Sequence, residues 1–353
     1  MKNVELKTRS QKSASRSQNN PESRTLNAEP RNKRIITTFV VLIILLLGSI
    51  VLSLSYGKNV FVVFNSFFAD EGFGLVLRKI RVPRTVIAFL VGGSLGICGV
   101  TLQSILRNPL AEPYTLGISG GASLGVTLST VLGMQNYLGM YGNPLMGFIG
   151  AMFSVFIVYV LSRRKLFDPN SMVLFGIVVS LVFSSFVFFL FSILDPDRMQ
   201  ITLMWLMGDL SSLDISLVYA YIPMFLLPAL VLFLFVKELD ILTLGSEKAQ
   251  YLGVDPPKMY KVLFLLTSIL TGLCVSASGI IGFVGLIVPH LLRNIIGASH
   301  TLLLISSYIG GAFFLIMSDV FSRYLLYPVE LPVGVVTGIL GGFILLFLVV
   351  RKT

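Results

Sequence analysis

Long apolar runs without charged residues constrain this chain more than any other feature. One run covers the 50 residues from Pro113 to Ser162, another the 22 from Ile215 to Val236, and a third the 31 from Val262 to Leu292. A helix that crosses the ~30 Å hydrocarbon core of a bilayer needs about 20 apolar residues. Such a segment must be helical, because lipid offers the backbone no hydrogen-bond partner. We therefore predict an all-α, polytopic membrane protein in contact with lipid.

The composition agrees with this class. Hydrophobic residues form 55% of the chain and charged residues 12%, whereas an ordinary soluble domain has about 25% charged residues. Both cysteines, Cys98 and Cys274, lie in apolar runs, which favours buried side chains over a disulfide or a metal cluster. Two histidines make a catalytic or metal constellation hard to assemble. We predict no cofactor, no metal site, no catalytic residue and no nucleic-acid partner.

Turn residues and charged residues divide the apolar sequence into ten predicted spans. Gly133–Pro144 separates two of them within the run Pro113–Ser162. The other eight are Ile35–Tyr56, Thr85–Leu106, Pro169–Leu194, Ile215–Val236, Met259–Ser278, Ile281–Ile296, Leu302–Leu325 and Leu331–Val350. Val60–Phe68 and Met199–Asp214 are predicted to lie in the membrane interface, the second because its Trp205 favours that boundary.

A basic tail of 34 residues precedes the first span and holds nine of the 27 Lys and Arg residues. Its composition, rich in Ser, Asn and Arg, predicts disorder. We therefore divide the chain into a disordered cytoplasmic tail, 1–34, and a transmembrane domain, 35–353. Ten spans then place both termini in the cytoplasm, together with most of the basic residues, as the bias towards positive cytoplasmic loops requires. The cluster Arg78–Arg84 is the exception, and its outward position suggests a use.

Glycine recurs at every fourth position in several spans. A helix face without side chains lets the backbone of a neighbouring helix approach closely. We predict that these glycines serve helix packing inside the bundle. The rows are Gly117, Gly121 and Gly125; Gly334, Gly338 and Gly342; and Gly92 with Gly96.

The segment Leu239–Lys261 is a charge-bearing stretch between two uncharged runs. Ser246 is a predicted helix cap, Gly253 a predicted helix end, and Asp255-Pro-Pro prevents continuation of that helix. A solvated loop without a partner would not need exposed apolar side chains, so we interpret the segment as a docking platform at the membrane surface. The apolar side chains expected to be exposed are Ala249, Tyr251, Leu252 and Val254.

The energy source is expected to lie on another chain. Gly245-Ser-Glu-Lys lacks the spacing and the Lys-Ser/Thr pair of a P-loop, so no nucleotide site of that kind is predicted. Ion-coupled secondary transporters usually place ionisable residues deep in the bundle. The acidic residues near the ends of the predicted spans are Glu112, Asp209, Asp319 and Glu330. An ion-coupled secondary transporter is therefore the alternative and not the favoured interpretation.

Six motifs in this order resemble the FecCD-type permease family of ABC importers for iron-siderophore, haem and cobalamin. The resemblance covers roughly residues 35–350, and the sequence departs from the family at Ile280, where many members have proline. The motifs are Arg81-Val-Pro-Arg84, Arg107-Asn-Pro-Leu-Ala-Glu-Pro113, Leu116-Gly-Ile-Ser-Gly-Gly-Ala-Ser-Leu-Gly125, Leu244-Gly-Ser-Glu-Lys-Ala-Gln-Tyr-Leu-Gly253, Gly282-Phe-Val-Gly-Leu-Ile-Val-Pro-His290 and Glu330-Leu-Pro-Val-Gly334.

The resemblance implies a type II ABC importer permease in the bacterial cytoplasmic membrane. It implies a second permease subunit, identical or paralogous, a dimer of ATPase subunits that hydrolyse ATP, and an extracytoplasmic solute-binding lipoprotein. The implied cargo is a ferric siderophore, with haem or cobalamin as the alternative. It implies no enzymatic activity for this chain itself.

The resemblance also implies site residues at both membrane surfaces. Arg81, Arg84 and Arg323 would face outwards and meet glutamates of the solute-binding protein, whereas lipid headgroups are the alternative partners. Leu239–Lys261 would be the segment that couples to the ATPase. Its implied coupling residues are Leu244, Gly245, Ser246, Glu247, Ala249, Tyr251, Leu252 and Gly253.

Overall fold

A computed structural model of the chain describes residues 31–55, 63, 72–211, 215–297 and 299–352. The predicted disordered tail lies outside these residues except for Arg31–Arg34, which form the first turn of a helix. The predicted interfacial segment Val60–Phe68 lies outside them as well, apart from Val63.

Helices form almost all of the described chain. Five short helical pieces precede the longer helices α2, α3 and α4: Phe73–Val76 with the π-helical turn Leu77–Arg81, the 3-10 turn Pro113–Leu116, and Gln135–Leu138 with the 3-10 turn Gly139–Tyr141. The longer helices are α1 Arg31–Ser55, α2 Val82–Ile105, α3 Ile118–Val131, α4 Gly142–Arg163, α5 Pro169–Phe191, α6 Pro196–Leu206, α7 Ile215–Leu234, α8 Val236–Leu242, α9 Ser246–Tyr251, α10 Pro256–Ser278, α11 Val284–Ile296, α12 His300–Tyr324 and α13 Val333–Lys352.

The ten predicted spans each coincide with an apolar helix, so the polytopic all-α fold is confirmed. Seven helices in the described part are long and apolar enough to cross a membrane. The other three are shorter, namely Ile118–Val131, Val284–Ile296 and Val333–Leu348. At ~1.5 Å per residue the first two reach only about 20 Å. They therefore reach only about two thirds of the ~30 Å hydrocarbon core, and the chain enters each of them through non-helical or 3-10 backbone.

Helix α6 contains Trp205, the residue on which the prediction of an interfacial helix depends. Its Trp205 side chain is 7% exposed, and the indole lies over Gly147 of α4. The Trp205 carbonyl lies so close to Gly279 that a Cβ there would approach it to 2.2 Å. Trp205 is thus part of the protein interior, where it fills the space that Gly147 leaves.

Close glycine contacts join α2 with α12 and α3 with α4, among other pairs. A Cβ on Gly96 of α2 would lie 2.1 Å from the Ser307 carbonyl of α12, and one on Gly121 of α3 would lie 2.4 Å from the Gly150 carbonyl of α4. Gly338 and Gly342 differ from the prediction, because among the described residues no atom outside their own turns of helix lies within 4 Å of such a Cβ. The neighbouring Gly341 does pack within the chain, since a Cβ there would lie 2.4 Å from Phe283 Cβ.

Glu112 and Tyr114 form hydrogen bonds with the backbone of the turn between α10 and α11. Gly279 and Phe283 both have positive φ, at 68° and 70°. The Glu112 carboxylate accepts a hydrogen bond from Phe283 N at 2.5 Å, and the Tyr114 hydroxyl accepts one from Ile281 N at 3.3 Å. Both bonds satisfy backbone groups that no helix satisfies, which a buried helix break needs.

Candidate functional site

The predicted site residues lie at opposite ends of the bundle. Helices α2 and α12 run antiparallel, so Arg84 and Asp319 meet at one end and Ser104 and His300 at the other. We call the first the arginine end and the second the platform end, because α8 and α9 lie there. Between Arg84 and Ser104, α2 rises about 30 Å.

At the arginine end, Arg84 forms two ion pairs. Its Nε donates to Asp319 Oδ1 at 2.7 Å, and its Nη1 donates to Glu330 Oε2 at 2.7 Å. Arg84 is 6% exposed and Asp319 is fully buried, whereas 55% of the Glu330 side chain is exposed. A buried charge is tolerated only with a well-placed opposite charge, and here Asp319 supplies it.

Arg323 completes this cluster from the same helix as Asp319. Its Nη2 lies 2.8 Å from Asp319 Oδ2 and donates to Ser53 Oγ of α1 at 2.9 Å. The side chain is 5% exposed. One buried carboxylate therefore serves two arginines. With Glu330 included, two positive and two negative groups balance, and we call these four residues the arginine cluster.

The cluster differs from the outward-facing arginines that the resemblance implies. Arg84 and Arg323 lie inside the chain, each with internal partners. Arg81 is half-buried, with Nη1 donating to the Leu54 carbonyl at 2.7 Å and its guanidinium 4.7 Å from the Phe73 ring centre. The acidic partners were missed in sequence, although the spacing of four residues between Asp319 and Arg323 allows a pair on one helix face.

At the platform end, two short helices follow one another. Gly245, with φ of 113°, is the residue before α9, and no side chain caps that helix. The prediction of Ser246 as the cap is therefore wrong: Ser246 is the first helical residue, and its Oγ accepts from Arg107 Nη2 at 3.0 Å. Asp255 does cap the next helix, α10, where it accepts a hydrogen bond from Lys258 N at 3.4 Å.

The exposed apolar residues of this platform are fewer than predicted. Tyr251 is 91% exposed, Leu252 58% and Leu244 55%. Ala249 is fully buried and Val254 is partly buried against the core, so both differ from the expectation of exposure. Three apolar side chains of the platform are therefore exposed to solvent, namely Leu244, Tyr251 and Leu252.

Two polar connections tie the platform to the bundle. Arg107 Nη2 donates to Ser246 Oγ and to the Tyr260 hydroxyl, the latter at 3.2 Å. On α8, Asp240 Oδ1 lies 2.5 Å from His300 Nδ1, and His300 Nε2 lies 2.7 Å from Ser104 Oγ. His300 was not singled out from the sequence, because its partners lie 60 and 196 residues away.

The arginine end also has an open cavity of about 760 Å³ between α4 and α6. Polar and apolar side chains share its wall, and the volume lies within the ~300–1,000 Å³ range of small-molecule sites. In the described part of the chain, no group of three or more His, Cys, Asp or Glu residues is placed to hold a metal ion. The polar lining residues are Gln135, Asn143, Asp197, Gln200 and Asp209.

Comparison with known proteins assigns the chain to a family. The model of the FecCD transport family matches residues 36–351. This chain belongs to that family. The FecCD match includes both the arginine cluster and the platform, so the chain is an ABC importer permease of the FecCD type.

Relatives and a solved structure agree with this assignment. The hemin transport system permease HmuU of Yersinia pestis is 36% identical over 89% of this FecCD permease and 94% of its own length. The vitamin B12 import system permease BtuC of Vibrio vulnificus is 37% identical over 91% and 96%. A metal-chelate type ABC transporter, solved in an inward-facing conformation, superposes with a TM-score of 0.79 at 29% identity and covers 89% and 98%.

Proposed function

We propose that this permease carries a ferric siderophore across the bacterial cytoplasmic membrane. The similar proteins are named for hemin, vitamin B12 and a metal chelate, all of them bulky metal complexes. Haem or cobalamin is the alternative cargo. Because no P-loop is present in the sequence, ATP hydrolysis belongs to separate ATPase subunits, and a second permease subunit completes the pathway.

The observation that carries the proposal is the platform at the end of the bundle opposite the arginine cluster. It presents Leu244, Tyr251 and Leu252 to the outside while Ala249 and Leu242 anchor it in the core. We assign this surface to the groove of an ATPase subunit in the cytoplasm. Closure of the ATPase pair on ATP would then move α8 and α9 and alternate access to the pathway.

The arginine end faces the extracytoplasmic solute-binding protein in this proposal, and both termini lie in the cytoplasm. Arg81 is the most accessible of the three predicted docking arginines, since Arg84 and Arg323 are almost completely buried. Glutamates of a docking protein would pair with Arg81 first. They would reach Arg84 by displacing Glu330, the exposed member of the cluster. Charge pairs of this kind set orientation and encounter rate more than affinity.

Uptake of a radiolabelled ferric siderophore into proteoliposomes tests the proposal. We expect uptake only when the permease, the ATPase subunits, the solute-binding protein and ATP are all present, and we expect unlabelled haem and cobalamin to compete poorly. Uptake by the permease alone, driven by a proton or sodium gradient, would establish the secondary-transporter alternative. Strong competition by haem or cobalamin would change the cargo and leave the ABC mechanism in place.

A further inference from the structure

The platform end contains a hydrogen-bonded chain of three side chains from three different helices. Asp240 of α8 contacts His300, the first residue of α12, and His300 contacts Ser104 near the end of α2. His300 N also donates to Asp240 Oδ1 at 3.2 Å. Because a carboxylate only accepts, Nδ1 of His300 carries a proton towards Asp240, and Ser104 Oγ lies 2.7 Å from both His300 Nε2 and the Val100 carbonyl.

Burial makes this chain of contacts specific. His300 is 1% exposed and Ser104 2%, while 46% of the Asp240 side chain remains exposed. A buried imidazole whose partner is removed keeps an unsatisfied polar group, which costs more than the bond itself contributes. The contact therefore holds α8 against the start of α12 and the end of α2, where the platform joins the bundle.

Between that contact and the arginine cluster, helices α2 and α12 pack closely against each other. Cβ atoms on Gly92 and Gly96 would lie 2.4 Å from the Gly311 carbonyl and 2.1 Å from the Ser307 carbonyl. Backbones this close interlock and cannot slide past each other without separating. At the far end the Arg84–Asp319 pair joins the same two helices again.

We propose that α2 and α12 form a rigid strut between the two docking ends, and that Asp240, acting through His300 and Ser104, is the positioning residue that fastens the platform to it. Displacement of α8 by the ATPase subunits moves the strut and shifts the arginine cluster. Conversely, docking of the solute-binding protein on that cluster moves the strut, and this movement displaces α8 and is transmitted to the ATPase subunits. The inference rests on the proposed function.

The test measures the ratio of ATPase activity with and without solute-binding protein in the complete reconstituted complex. For Asp240→Ala we expect that ratio to fall about 5- to 10-fold, within the usual range of coupling between distant sites. Asp240→Asn keeps an acceptor for His300 and should retain most of the ratio. Asp168→Asn is the matched control, since it removes an aspartate charge but keeps the carboxamide oxygen that can cap α5.

Assembly is checked by co-purification of the ATPase subunits, and Ser104→Ala is the second variant in case Asp240→Ala does not assemble. It deletes a single oxygen atom from the far end of the same chain of contacts and should lower the ratio in the same direction. An unchanged ratio in the assembled Asp240→Ala or Ser104→Ala complex overturns the inference. A wild-type complex without ATP-driven uptake would instead overturn the proposed function, so the two failures are distinguishable.

Discussion

Asp319 is the residue whose removal should affect the stability of this permease most clearly. It is fully buried and lies between Arg84 at 2.7 Å and Arg323 at 2.8 Å. Asp319→Ala removes the carboxylate that lies 2.8 Å from Arg323 Nη2, and Arg84 keeps its pair with Glu330. Breaking a buried ion pair by removing one partner costs about 3–5 kcal/mol, because the remaining charge is uncompensated.

The structure also sets the order of a variant series. Asp319→Asn keeps one oxygen acceptor for Arg84 Nε but loses the charge and the acceptor that faces Arg323. Because one acceptor remains, its cost should be smaller than that of Asp319→Ala. Glu330→Gln changes the exposed partner of Arg84, where an ion pair contributes ~1 kcal/mol or less. We therefore expect the order Asp319→Ala, Asp319→Asn, Glu330→Gln from most to least destabilising.

Reversible unfolding of the purified permease in mixed detergent micelles measures these differences as changes in the free energy of unfolding. Replacing the buried group as a whole provides the control: Asp319→Leu combined with Arg84→Met and Arg323→Met should recover most of the stability, since apolar residues of similar volume can replace buried ions. An Asp319→Ala variant no less stable than Glu330→Gln would refute the assignment of Asp319 as the shared counter-ion.

Three further predictions concern packing and docking. Gly96→Val should prevent close approach of α2 and α12 and abolish folded protein in size-exclusion chromatography, whereas Gly342→Ala, with open space around it, should elute as the wild type does. Tyr251→Asp should reduce co-purification of the ATPase subunits about tenfold, because it places a charge on the apolar contact. Lys248→Gln, also on α9, serves as the control. Equal recovery of ATPase subunits with both variants would exclude Tyr251 from the interface. Arg81→Glu should weaken binding of the solute-binding protein about tenfold at low salt and less at high salt, and an affinity independent of both charge and salt would assign Arg81 to another role.

Arg84 illustrates why the structure changes the choice of test. From the sequence, Arg84→Glu looks like a clean reversal of a docking charge. In the folded chain it would place a third carboxylate beside Asp319 and Glu330, so loss of uptake would report loss of stability as well as loss of docking. Substitution of Arg81, which is half-buried and outside the cluster, separates the effect on docking from the effect on stability.

The sequence by itself determined the class of protein, the ten helices and their order. Apolar run length decides these features, because every backbone group in lipid must be satisfied within its own helix. Motif order likewise sufficed for the family. The sequence also located the platform, since a charged segment between two apolar runs has to lie at a membrane surface.

The tertiary structure alone decided which side chains of those segments meet. Asp319 and Asp240 read as ordinary acids near helix ends, yet one compensates two buried arginines and the other holds a buried histidine. Ala249 is buried beside the exposed Tyr251. Such pairings join residues up to 270 positions apart. They depend on how antiparallel helices align, which periodicity along one chain segment does not specify.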